Sequence, residues 1–283
     1  FFGVVTIASI LVLVVTGVVL MFFYEASSDQ RVYDGPYAPL VGQPVSHAFD
    51  SVMRLSFEVP GGLLLRQLHH WAGLLAPAAI MIQLLVTFFT GAFRRPRRGS
   101  WVALFLLLVA VLAAGWSGYA LPDDSLSSTG LRIVQGIVLA IPVVGAWLST
   151  LMFGGEFPGR IIETLYPVHW LVAPAAIVAL IAVRALLAHR AKPPQFAAGG
   201  RTEGNVVGIP MLPNAAVRAG GLFVVVVGLL VGIAATVQIT PVWIYGPADP
   251  GIASAGSQPD WYTGFLDGAL RLVPPGWEVE IFG

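Results

Sequence analysis

Arg66-Gln67-Leu68-His69-His70-Trp71 opens a stretch that carries no further charge until Arg94. Crossing about 30 Å of hydrocarbon at 1.5 Å per residue takes about 20 residues. The stretch is long enough, so it reads as a membrane helix with two adjacent histidines near one end. Working outward, four more apolar runs reach that length, over 1–24, 101–121, 161–187 and 220–237. The run 131–153 is also apolar, but Pro142 and Gly145 interrupt it. Two short helices lying at the membrane surface fit it better than a span. The first run lacks a basic start and a small-residue cleavage site, so it reads as a membrane helix and not as a leader. The opening on Phe1 instead of Met reads as a trimmed start.

Composition agrees. Of 283 residues, 57% are hydrophobic and 11% charged, and mean hydropathy is +0.81. A soluble domain carries roughly 25% charged residues, so a water-soluble globule is excluded. Fifteen basic and fifteen acidic residues leave no net charge, and no surface for nucleic acid is implied. Cysteine is absent, which removes disulfides, iron–sulfur ligation and thiol catalysis. Charge also orients the chain. Arg94, Arg95, Arg97 and Arg98 follow the second span, and Arg184, His189, Arg190 and Lys192 close the fourth. Short basic loops stay on the cytoplasmic side, so the second and fourth helices run inward and the others outward. The long loops 25–62, 121–160 and 238–283 then share the outer face, and 189–201 reads as a solvated inner linker.

His69 and His169 lie near the outer starts of the two inward-running helices. An ionisable side chain within a span marks a functional site by default, although a lone histidine can equally be a hydrogen-bonded packing residue. Two at one depth, with no cysteine available, make bis-histidine haem ligation the simplest chemistry. Each ring then needs its second nitrogen held by a carbonyl or water. Of His69 and His70 only one can face inward, because helix neighbours point about 100° apart. His47, on an expected surface helix over 46–57, reads as solvated.

Around these residues the chain resembles cytochrome b of the quinol–cytochrome c oxidoreductases, most closely the actinobacterial branch. The resemblance runs through Arg66–Trp71, Phe89–Arg94, Gly118–Asp124, Leu165–His169 and Arg201–Gly208. Its most specific element is Gln258-Pro259-Asp260-Trp261-Tyr262, which is similar to the Pro-Glu-Trp-Tyr motif of the quinol site, with Asp for Glu. The implied fold is all-α and polytopic: a four-helix haem-binding bundle over 1–190, a linker over 191–219, and a fifth membrane helix with an outer quinol-site loop over 220–283. The family has eight such helices, of which five are legible here.

The resemblance implies site residues one by one. His69 and His169 match the ligands of the outer of two stacked haems, Arg66 is placed to pair with a propionate, and Gly118 and Gly130 would let backbone approach the macrocycle. Pro259 and Trp261 would line the quinol pocket. Asp260 is the proton acceptor implied for quinol oxidation, with Tyr262 beside it, although Pro-Asp is also ordinary turn chemistry. Asp123 and Asp124 are either a proton relay or solvated turn residues. His189 matches a quinone-contacting histidine on the inner face, but the acidic partner the family has at the start of the fifth helix is not evident, where Asn214 and Arg218 stand nearby. One departure stands out. Fourteen residues after His69 is Gln83, and the inner position on the fourth span falls at Arg184, with Val183 one residue earlier. Neither glutamine nor a charged arginine ligates haem iron, so one haem b is expected instead of two.

The implied cofactors are haem b and quinol, menaquinol by the actinobacterial likeness. The implied setting is a multi-pass protein of a bacterial plasma membrane, in contact with lipid and quinone. Three readings remain open. The chain is a subunit of a quinol–cytochrome c oxidoreductase with Rieske iron–sulfur and cytochrome c partners; or a haem-bearing anchor in a different redox complex; or a structural paralogue paired with a complete cytochrome b. The assembly expected is a dimer or heterodimer.

Overall fold

A computed structural model of the chain describes residues 1–191, 194–195, 198–202, 204–205, 207–252, 254–272 and 274. Lys192, Glu203 and Val206 of the expected linker lie outside these residues, as does the end of the outer segment from 275.

Helix α1 (Phe2–Leu20) contains no charged residue. A two-stranded antiparallel ribbon, β1 (Gln30–Val32) and β2 (Pro44–Ser46), follows; the sequence reading contained no strand. Helix α2 (His47–Phe57) starts where the Ser46 hydroxyl accepts from the Phe49 N–H at 3.1 Å, satisfying one of the four free amides at a helix start. Asp50 of α2 is only 1% exposed and lies 3.1 Å from Arg31 and 2.9 Å from Arg54. This ion cluster ties the ribbon to α2.

The long helix α3 (Gly62–Phe89) starts from Gly61, whose φ of +76° suits a residue without Cβ. Pro77 sits inside α3; within a membrane bundle neighbouring helices compensate for the backbone bond it removes. Helix α4 (Arg98–Ala120) leads to α5 (Ser125–Leu139) and α6 (Gly145–Phe153), the two short helices expected over 131–153. Asp124 caps α5: its carboxylate accepts from the Ser127 N–H at 2.8 Å while its own N–H donates to the Ser127 hydroxyl at 2.9 Å.

The fourth span comprises α7 (Ile161–Pro167), one turn of π-helix (Val168–Val172) and α8 (Ala173–Ala191). Helix α9 (Ala216–Thr236) is the fifth span, and α10 (Val242–Tyr245) and α11 (Gly264–Arg271) belong to the outer segment. Helix α1 packs on α3, α4 on α8, and α9 against α1 and α3. Among the described residues five helices are long and apolar enough to cross a membrane. Their outward faces carry exposed Val15, Leu85, Phe105, Val109 and Val178, the pattern of a surface that meets lipid instead of water.

Candidate functional site

The site lies between α3 and the π turn, at the end of the bundle opposite the arginine-rich turn. His69 and His169 face each other with ring centroids 6.0 Å apart. Their hydrogen bonds assign the tautomers. The Thr16 hydroxyl donates to the Val12 carbonyl at 2.6 Å, so at 2.8 Å it accepts from His69 Nδ1–H. His169 Nδ1–H donates to the Ala114 carbonyl at 2.9 Å. Both rings are thereby held through Nδ1 by the flanking helices α1 and α4, which leaves both Nε2 lone pairs free to bind a metal. The gap between the rings suits one metal ion bound to a nitrogen on each side, at about 2 Å per bond.

Two glycines make room. A Cβ on Gly17 would stand 3.2 Å from the His69 ring, and one on Gly118 only 2.4 Å from the His169 ring. Arg66 donates twice to the Thr240 carbonyl, each time at 3.2 Å, while its Nε is buried without a partner. A buried guanidinium with a free N–H is set up for an anionic group. Facing imidazoles, bare backbone and an unsatisfied arginine together fit a haem: His69 and His169 would hold it, and Arg66 would pair with an anionic group on it.

His70 is committed elsewhere. Its Nε2 lies 2.9 and 3.0 Å from the two carboxylate oxygens of Asp260, so the ring donates there, and its Nδ1 accepts from the Thr240 hydroxyl at 3.0 Å. Tyr262 donates to the same carboxylate at 3.1 Å and is held far above the usual phenol range by burial next to Asp260. Gly115 makes room for the tyrosine, since a Cβ there would fall 2.8 Å from its hydroxyl. Beside this cluster Trp116, Tyr119, Gly130, Pro259 and Thr263 line a narrow cleft. The Trp116 indole N–H is buried and unpartnered there. Trp261 is 48% exposed and stacks edge-on to Tyr262.

Several expectations change. Gly130 does not approach the histidines: it packs on Tyr119, 2.5 Å from a built Cβ, and forms the cleft wall. His47 is not simply solvated, because its Nδ1 lies 2.9 Å from Glu25. Asp124 is not a solvated turn residue; it is 3% exposed, and burial raises its pKa to about 6 against the lowering effects of Ser127 and Arg66. Burial raises Asp123 as well, and its φ is +52°. His189 is exposed at the end of α8, away from the paired histidines. Thr16, Gly17, Thr240 and Gly115 escaped the sequence reading. One signal for Gly17 was available: it follows Gly3 by the same 14 residues that separate His69 from Gln83.

A helical membrane bundle with a paired-histidine cleft has the architecture of a cytochrome b. The family model described as cytochrome b (N-terminal)/b6/petB matches residues 75–247, and the chain belongs to this family. The cytochrome b subunit of the cytochrome bc1 complex from Streptomyces coelicolor is 43% identical over 282 residues, covering 99% of this chain and 52% of that protein. Its counterpart from Mycobacterium tuberculosis is 46% identical over 278 residues, covering 98% and 50%. The chain thus spans about half the length of the curated relatives it matches. A chain of a solved structure described as a hyperthermophilic respiratory Complex III is alike in fold, with a TM-score of 0.74 at 20% identity over 95% of this chain and 71% of that one. Five membrane helices and relatives of this kind make the protein multi-pass in a bacterial plasma membrane.

Proposed function

We propose that this chain is the quinol-facing cytochrome b subunit of a multi-subunit respiratory electron-transfer complex, carrying one haem b at the outer level of its bundle. One contrast carries the reading. At the outer level two imidazoles face each other with free Nε2 atoms. One level down, α3 offers Gln83 and α8 offers Arg184, with Gln83 Oε1 and Arg184 Nε buried and unpartnered. The π turn explains why arginine is the inner counterpart of His169. It adds one residue to the helix, so the face of His169 returns after 15 residues, while Val183 points outward and is 47% exposed. A haem does not fit between a glutamine and a charged arginine.

A haem b bound at the outer level supplies a one-electron carrier at that depth. The chain's own groups orient and deprotonate the substrate. Quinol binds beside Tyr119, Gly130 and Pro259, at a cleft that has to widen to admit its ring, where the unpartnered Trp116 N–H is placed to donate to a quinol oxygen. Asp260 accepts a hydroxyl proton, held in place by His70 and Tyr262. Partners of the Rieske iron–sulfur and cytochrome c kinds belong to this proposal, because the relatives are subunits of a cytochrome bc1 complex. The missing inner ligands favour a second placement, in which the chain pairs with a complete cytochrome b that supplies the inward electron path.

The direct test is substitution at the histidines. His69→Ala or His169→Ala is expected to abolish the b-type absorbance, since each removes one of the two imidazoles that would hold the haem. His70→Ala is expected to leave the α-band in place. Haem loss in the His70 variant alone would reverse the assignment of the two neighbours.

A further inference from the structure

The outer level of the bundle is enclosed by four faces: His69 on α3, His169 on the π turn, Gly17 on α1 and Gly118 on α4. A step of 14 residues along an α-helix advances about 21 Å and returns to within about 40° of the same face. On α1 that step leads from Gly17 back to Gly3, whose built Cβ lies 3.5 Å from Gln83 Nε2. The pair Gly3 and Gln83 therefore repeats the pair Gly17 and His69. On α4 the same step leads from Gly118 to Leu104, which packs in one cluster with Ile177 of α8.

Here the repeat fails. Leu104 is 1% exposed and belongs to one cluster with Ile80 and Leu84 of α3 and Ile177 of α8. Ile80 and Leu84 flank Gln83 on its own helix, and Ile181, one turn before Arg184, packs on the same cluster. Trp101, one turn before Leu104, closes the layer from the basic end and donates its indole N–H to the Leu84 carbonyl at 3.3 Å. Where the outer level has Gly118, whose missing Cβ leaves room for the His169 ring, the inner level has a buried leucine in a filled apolar core.

We infer that Leu104 is the residue that excludes a second macrocycle from this bundle, so that the inner site has lost its volume as well as its ligands. The inference rests on the one-haem reading and deepens it. Vacant ligand positions in an open cleft would be reversible by two histidines; a close-packed interior has no room for a planar ring system until the intruding side chain is removed.

The test counts haem b per chain, by pyridine haemochromogen, in the full-length protein purified from membranes. Four proteins are compared: the native chain, Leu104→Gly, Gln83→His with Arg184→His, and the triple variant. The expected counts are one, one, one and two, the second haem in the triple variant having a low-spin bis-histidine spectrum. Two haems in the double variant would overturn the role of Leu104 while leaving the one-haem reading intact. Two haems in the native chain would overturn that reading itself. A triple variant that keeps its outer haem and gains no second one would also overturn the inference. If the glycine variant fails to assemble, seen as loss of the outer haem, Leu104→Ala in the same double background keeps only Cβ and is expected to raise the count above one; a count of one there overturns the inference.

Discussion

Neighbours on a helix point about 100° apart, and His69 and His70 use that angle to serve two sites. His69 turns into the bundle toward His169, and His70 turns to the outer segment, where it holds Asp260. Helix geometry alone showed that one of the two must face inward, and only the family resemblance pointed to His69; in the structure His70 is committed to a partner 190 residues away. Such a long-range contact has no local signal. Asp260 is the group for which a substitution separates chemistry from structure. Asp260→Asn keeps the shape and one acceptor oxygen but removes the base, so quinol oxidation by the assembled complex is expected to slow by about 10²–10⁴-fold with haem content unchanged. Full turnover at neutral pH would reduce the Pro-Asp pair to a turn.

Among the elements, the spans were legible because length and apolarity alone define them, and the break at Pro142 and Gly145 gave the two surface helices. The ribbon β1–β2 was not, since three-residue strands leave no pattern, and it depends on the ion cluster around Asp50. The π turn was equally hidden; it supplies the physical reason why the inner counterpart of His169 falls at Arg184, as the resemblance implied, and not at Val183. Helix α5 offers a pH test. Its cap Asp124 has a pKa of about 6 in the folded chain against 3.8 for the free group, raised by burial. The native state therefore holds this proton more tightly than the unfolded chain does. That contribution to stability is full below pH 3.8 and is lost as pH rises through about 6. Asp124→Asn, which can still cap α5, is expected to flatten the fall in thermal stability between those limits. An unchanged pH profile would show that Asp124 titrates as an ordinary carboxylate.

On the proposed reading, the molecule as a whole is a two-level bundle in which only the outer level keeps the parts of a cofactor site. That asymmetry was half visible in sequence, through Gln83 and Arg184. The other half, the packed layer of Leu104, Leu107 and Trp101, needed the relative positions of α3, α4 and α8. With the inner level filled, as inferred above, the chain by itself would offer electrons no path between the two faces. The central claim is therefore one b-type haem per chain, and a redox titration of the purified full-length protein, followed in the b-type α-band, tests it most directly. A single one-electron transition, with amplitude equal to one haem per chain, is the result expected. Two b-type transitions of equal amplitude would contradict it.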